Sequence, residues 1–164
     1  NVSVSRITSR FDSISACLSK GLGAPVGSVL CGSHNFIDNA RRWRKVLGGG
    51  WRQAGVLAAA GLYALEHHIE RLATDHHHAT LLAESLAEIE ELSVDNFPER
   101  TNMVWVKAPQ WSLANLAPNL RKEGVLISMD DYPLRLVTHL DIDEADIHKT
   151  ARTFKDFFSK NKVA

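Results

Sequence analysis

Asp12-Ser13-Ile14-Ser15-Ala16-Cys17-Leu18-Ser19-Lys20-Gly21-Leu22-Gly23-Ala24-Pro25-Val26-Gly27-Ser28 holds one short apolar run, Ser13–Leu18, a glycine-rich turn around Lys20, and the start of a second run, Pro25–Cys31. Runs this short, bounded by Gly and Pro, read as strands. The segment therefore predicts two strands joined by a loop in which Gly21, Gly23 and Gly27 allow a tight turn. Upstream, Asn1–Ser5 carries no helix or strand pattern and no initiator methionine. Downstream, Asn35–Leu47 predicts a helix ending in the basic cluster Arg41, Arg42, Arg44 and Lys45, and Gly48–Gly50 breaks it.

Trp51–Thr74 has helical periodicity, with Leu57, Ala60, Ala64, His68 and Leu72 on one stripe. The small residues Ala58, Ala59, Ala60 and Gly61 predict close packing on another surface. A second helix is expected over Asp75–Glu91, with Leu82, Leu86 and Ile89 in register. After Asn96-Phe97-Pro98 the texture changes. Met103–Val106 predicts a strand and Ser112–Glu123 a helix. Val125–Ser128 and Leu134–Thr138 read as strands around a turn at Met129–Pro133, and Glu144–Ser159 as an amphipathic helix. That order suits a small α+β lobe. The expected division is 1–80 and 81–164, inside the Asp75–Glu91 helix.

The 164 residues are 45% apolar and 23% charged, as in an ordinary globular protein. Lys+Arg and Asp+Glu balance at 19 each, so no global field favours nucleic acid or an anionic membrane. The longest apolar run, Val56–Leu65, is too short to span a bilayer, and the first fifteen residues carry no signal-peptide core. A cytoplasmic protein is expected. Cys17 and Cys31 make no disulfide framework, and their apolar, strand-like contexts predict buried, reduced thiols.

Lys20 follows an apolar strand and has no carboxylate near it in sequence. An amine that must act as a nucleophile needs its pKa brought from ~10.4 to ~7–8 by burial or a cationic neighbour. The residue types alone also allow a surface lysine at a strand end. Arg135 alternates with Leu134 and Leu136 and shares a face with Val137 and His139. It suits bidentate capture of a carboxylate, or simply solvent exposure on an edge strand. Gly48–Gly50 entering a helix at Trp51, bracketed by Lys45 and Arg52, predicts an anion nest, or a basic helix end favoured by the macrodipole. His67, His68 and His76–His78 lack the i, i+4 spacing of helical zinc ligands, so no metal site is expected. His139 is open between orienting a ligand and packing in a strand.

The Lys20 stretch resembles the cofactor-lysine segment of low-specificity L-threonine aldolases. The likeness continues through Ala40-Arg41-Arg42-Trp43-Arg44-Lys45 and Gly48-Gly49-Gly50-Trp51-Arg52-Gln53-Ala54-Gly55. It returns at Thr101-Asn102-Met103-Val104 and Arg135-Leu136-Val137-Thr138-His139-Leu140-Asp141, and so covers the chain in colinear order. Trp51 departs from the family's more usual methionine.

The resemblance implies an α/β fold: the end of a pyridoxal-phosphate-dependent transferase-like large domain (aspartate aminotransferase fold), then a small α+β C-terminal domain. It implies pyridoxal 5'-phosphate held covalently as a Schiff base on Lys20, with Lys45 and Arg52 reaching its phosphate and Arg135 binding the substrate carboxylate. The implied reaction is retro-aldol cleavage of L-threonine or L-allo-threonine to glycine and an aldehyde, in a homotetramer built as a dimer of dimers. In that family the remaining cofactor-binding residues precede the lysine. The chain is therefore expected to be the C-terminal half of a longer or two-chain enzyme, with an amino-acid substrate and the missing N-terminal half as partners. The alternatives are a truncated, non-catalytic oligomerising subunit, or another fold-type-I lyase or transferase.

Overall fold

The computed structural model describes residues 2–129 and 132–161. They divide into two compact units, 1–70 and 71–164.

The first unit contains α1 (Val4–Thr8), β1 (Ser13–Cys17), β2 (Ser28–Gly32), α2 (His34–Val46) and α3 (Gly55–His67). The short α1, unexpected from sequence, starts where the Ser3 side chain accepts the Arg6 N–H. β1 and β2 pair antiparallel, from Ser13 opposite Gly32 to Cys17 opposite Ser28. β2 begins later than its apolar run because Gly27, at φ 111°, turns the chain and its carbonyl accepts the Leu18 N–H at 2.9 Å. This ribbon pairs with no third strand among the described residues. Cys17 and Cys31 are accordingly free and exposed, which corrects the expectation of buried thiols.

α2 is capped at both ends. The Ser33 hydroxyl accepts the Phe36 N–H. At the other end Gly48, at φ 85°, donates to the Lys45 carbonyl and Gly49 donates to the Arg44 carbonyl. These are the paired bonds of a Schellman motif, and the left-handed residue is the glycine they call for. The next helix does not start at Trp51. Gln53 sits at φ 53°, a left-handed conformation costing a non-glycine residue ~1 kcal/mol, so the helix cannot begin until Gly55. α3 then ends at His67 rather than running on to Thr74. Its stripe is the least exposed face all the same. Gly61 and Ala64 are buried, and a Cβ on Gly61 would lie 3.1 Å from the Leu18 side chain. Of the small residues expected to pack closely, Gly61 makes that contact and Ala60 is half-buried, whereas Ala58 and Ala59 are exposed.

The second unit contains α4 (Leu72–Ala87), β3 (Ser93–Val94), β4 (Met103–Lys107), α5 (Gln110–Lys122), β5 (Leu134–Val137) and α6 (Glu144–Lys160). Its antiparallel sheet runs β3-β4-β5, with Trp105 opposite Arg135 and Val106 opposite Leu134. β3 is too short to leave a periodic signature. Leu82 and Leu86 of α4, and Ile89 just beyond its end, meet Val104 and Val106 of β4, Leu134 and Leu136 of β5, and Phe154 and Phe158 of α6 in a continuous core. Burying each such side chain contributes about 1.5–3 kcal/mol. α6 opens on a capping box, Asp143 accepting the Asp146 N–H and Asp146 the Asp143 N–H.

Val125–Ser128 forms no strand, contrary to its pattern. It keeps a strand-like alternation of burial, but a cavity of about 480 Å³ is lined by these residues on one side and β5 on the other. Of the expected turn Met129–Pro133, residues 130 and 131 lie outside the described residues. No described helix is long and apolar enough to cross a membrane.

Candidate functional site

Lys20 lies in the loop between β1 and β2, exposed, and opens a tight turn in which Gly23 donates to the Lys20 carbonyl at 2.8 Å. Gly23 takes φ 72°, a conformation glycine adopts without penalty. Ala24 folds back to donate to the Leu18 carbonyl at 3.0 Å and is the loop's buried residue. One side chain from outside the loop reaches in: His68 Nδ1 meets the Leu22 carbonyl at 2.6 Å. The lysine is thus carried on a loop tied to itself and to the end of α3.

Lys45 stands in the last turn of α2 and lies across the glycine bend. A Cβ on Gly50 would collide with Lys45 Cδ and sit 3.1 Å from its Nζ, and one on Gly49 would come within 2.9 Å of Arg44 Cγ. The absent side chains make the cradle for these two basic stems. The anion-nest expectation needs correction here. The Gly48 and Gly49 N–H groups are already used to cap α2, and α3 starts four residues after Trp51. Any anion held here would meet side chains rather than a helix end. Arg52 is exposed in the bend, directly before the strained Gln53. Among the described residues none of Lys20, Lys45 and Arg52 makes a side-chain hydrogen bond or ion pair, and no such contact joins them to one another.

Arg135 belongs to the second unit. β5 alternates as its sequence predicts: Leu134, Leu136 and Thr138 are buried, while Arg135, Val137 and His139 are exposed. Arg135 and His139 line the 480 Å³ cavity, whose other walls include Leu126, Ile127, Ile142 and Lys149. A cation at the rim of an apolar cavity can hold a carboxylate with reduced competition from water. His139 is turned to Asp141, whose N–H donates to Nδ1 at 3.3 Å.

The strand carrying Arg135 is tied down by groups that sequence reasoning did not single out. The Thr138 hydroxyl donates to the Asp75 carbonyl at 2.7 Å, and Thr138 exchanges backbone and side-chain bonds with Asn102 at 3.0 and 2.9 Å. Asp75 is fully buried in the first turn of α4, and Arg71 grips its carboxylate with two N–H groups at 2.6 and 3.1 Å. The sequence signal for this pair was the Arg-x-x-x-Asp spacing across a helix start. No local signal marks the His68 bond, which spans 46 residues.

A family profile described as beta-eliminating lyase matches residues 1–109, which hold the Lys20 loop, the glycine bend and both helices that follow. The chain belongs to the beta-eliminating lyase family. It is 42% identical over 154 residues to the low specificity L-threonine aldolase of Escherichia coli strain K12, across 94% of this chain and 45% of that protein. It is also 42% identical over 158 residues to low-specificity L-threonine aldolase 1 of Arabidopsis thaliana, across 94% of this chain and 44% of that one. The expected resemblance is borne out, and the chain spans about half the length of the curated relatives it matches. Among solved structures, a Listeria monocytogenes protein assigned as an L-allo-threonine aldolase superposes with a TM-score of 0.75 at 20% identity. That match covers 95% of this chain and 47% of the Listeria chain. Serine palmitoyltransferase of Sphingomonas wittichii gives 0.77 at 14% identity, over 94% and 41% of the two chains. At such identities the likeness is one of fold: this beta-eliminating lyase family member has the α/β fold of fold-type-I pyridoxal-phosphate enzymes.

Proposed function

We propose that the chain is the lysine-bearing half of a pyridoxal-phosphate-dependent aldehyde-lyase that cleaves L-threonine, L-allo-threonine and related β-hydroxy-α-amino acids to glycine and an aldehyde. The observation that carries the proposal is the Lys20 loop: an uncommitted amine on a turn closed by its own backbone and held from outside by His68. The residues present fit the cofactor. Lys20 would carry it covalently. Lys45, laid over glycines that leave room for its stem, and Arg52 would supply positive charge for its phosphate. When bound, the group supplies an electron sink for the bond broken at the amino acid's α-carbon.

Arg135 binds the amino-acid carboxylate through its guanidinium fork, and the apolar wall beside it limits water around that pair. Residues 1–80 then close the large cofactor-binding domain and 81–164 form the small α+β domain, with α4 spanning the division. The first unit leaves Trp43, Leu47, Trp51, Val56 and Phe11 exposed, which supports a companion N-terminal portion that covers them. In this reading the assembled enzyme is a cytoplasmic homotetramer, a dimer of dimers.

Borohydride reduction of the complete protein, followed by peptide mass analysis, tests the proposal. The expected product is cofactor fixed on Lys20, together with glycine and acetaldehyde release from threonine that Lys20→Ala abolishes. Fixation on another residue, or threonine cleavage that survives Lys20→Ala, refutes it.

A further inference from the structure

We infer that His68 is the positioning residue for Lys20, acting through the Leu22 carbonyl; this rests on the reading of Lys20 as the cofactor lysine. The turn that starts at Lys20 has its third residue, Leu22, in a 2.6 Å hydrogen bond with His68 Nδ1. A carbonyl only accepts, so Nδ1 carries the proton, in the neutral ring and in the charged one alike. His68 is fixed in turn. Its N–H donates to the Ala64 carbonyl at 2.9 Å, capping α3, and its ring meets Tyr63 edge-on with centroids 5.5 Å apart.

A second contact joins the same partners. The Gly61 position of α3 approaches Leu18, the residue from which the loop departs, so closely that a Cβ there would lie 3.1 Å from its side chain. The loop is closed on itself by the Gly23 and Ala24 N–H bonds, and it is attached to α3 at its root by packing and at Leu22 by one hydrogen bond. The root contact alone leaves the closed loop free to swing as a unit. A four-bond lysine stem carries any backbone displacement to the amine, and about 1 Å of misplacement can cost about 100-fold in rate. His68 removes that freedom by holding the loop backbone at Leu22.

The complete protein with His68→Leu and with His68→Asn tests this. Asparagine places an amide nitrogen where the histidine has Nδ1 and so keeps the donor, while leucine keeps bulk and loses it. Amide hydrogen exchange at Gly23 and Ala24 should quicken about fivefold to tenfold in His68→Leu and stay native-like in His68→Asn. Turnover should divide the same way: kcat falls about tenfold in His68→Leu with KM for threonine unchanged, and His68→Asn stays within about twofold of native. Native exchange at Gly23 and Ala24 in His68→Leu overturns the anchor. Equal damage from asparagine and leucine overturns the donor as its cause, and a rise in KM with kcat unchanged overturns the link to Lys20. A native protein that fixes no cofactor on Lys20 would refute the proposed function instead, and the exchange rates would still decide the anchor.

Discussion

Removing Arg71 should be far more damaging than removing Arg71 and Asp75 together. The Asp75 carboxylate is fully buried, while Arg71 keeps about a fifth of its side chain in solvent, at 21%. Arg71→Leu therefore strands a buried charge, a change that costs about 3–5 kcal/mol. Asp75→Leu leaves an arginine that can swing outward and also removes an acid from the first turn of α4, a cost of about 0.3–1 kcal/mol from the helix dipole plus the lost pair. In the double Leu variant no charge is buried, so stability should return to within about 1 kcal/mol of native. The coupling is thus expected to be at least about 2 kcal/mol, a sizeable part of the ~5–15 kcal/mol that holds a domain together. Amide exchange at Leu86, Val104 and Phe154, all in the core of this unit, measures the change where it occurs. Additive losses in the double variant would refute the reasoning, because the pair would then contribute packing rather than mutual charge neutralisation.

Arg135→Ala should raise KM for the amino acid about 10- to 100-fold with kcat little changed, since a bidentate carboxylate bond is present before and during the reaction; steady-state kinetics on the complete enzyme checks it, and an unchanged KM removes Arg135 from the site. Gly50→Ala should weaken pyridoxal phosphate binding about tenfold by pushing the Lys45 stem aside. Gly48→Ala meets nothing within 4 Å but sits at φ 85°, so it should cost about 1 kcal/mol of stability and leave cofactor affinity alone. Equilibrium dialysis beside thermal unfolding separates the two, and equal effects from both glycines would sink the assignment of Lys45.

The lobe that follows Asn96 was readable because its signals are periodic. β5 alternates at period two, which puts Leu134 in the core and Arg135 outside, and α6 repeats its phenylalanines at helical spacing. The break before α3 was not readable. It depends on Gln53 adopting a left-handed backbone, and glutamine has no propensity that announces one. Val125–Ser128 failed for another reason: alternation specifies which side chains are wet, not whether a neighbouring strand is close enough to pair. The Lys20 loop was legible as a motif, whereas its attachment to His68 was not, because a histidine at a helix end looks the same whether or not a carbonyl waits 46 residues away.

The β1–β2 ribbon carries one more consequence. Every residue of Ser28–Gly32 is exposed, Val29 and Leu30 included, and the register gathers Ile14, Ala16, Val29 and Cys31 on one apolar face of the ribbon, opposite a face that carries Ser13, Ser15 and Ser28. Two strands alone are marginal, and both outer edges offer unpaired backbone groups to whatever extended chain comes near. A copy of this chain released without its neighbour is thus a template for strand addition. Its yield in the cell would be set by how fast that edge is covered during synthesis rather than by the stability of the well-packed second unit.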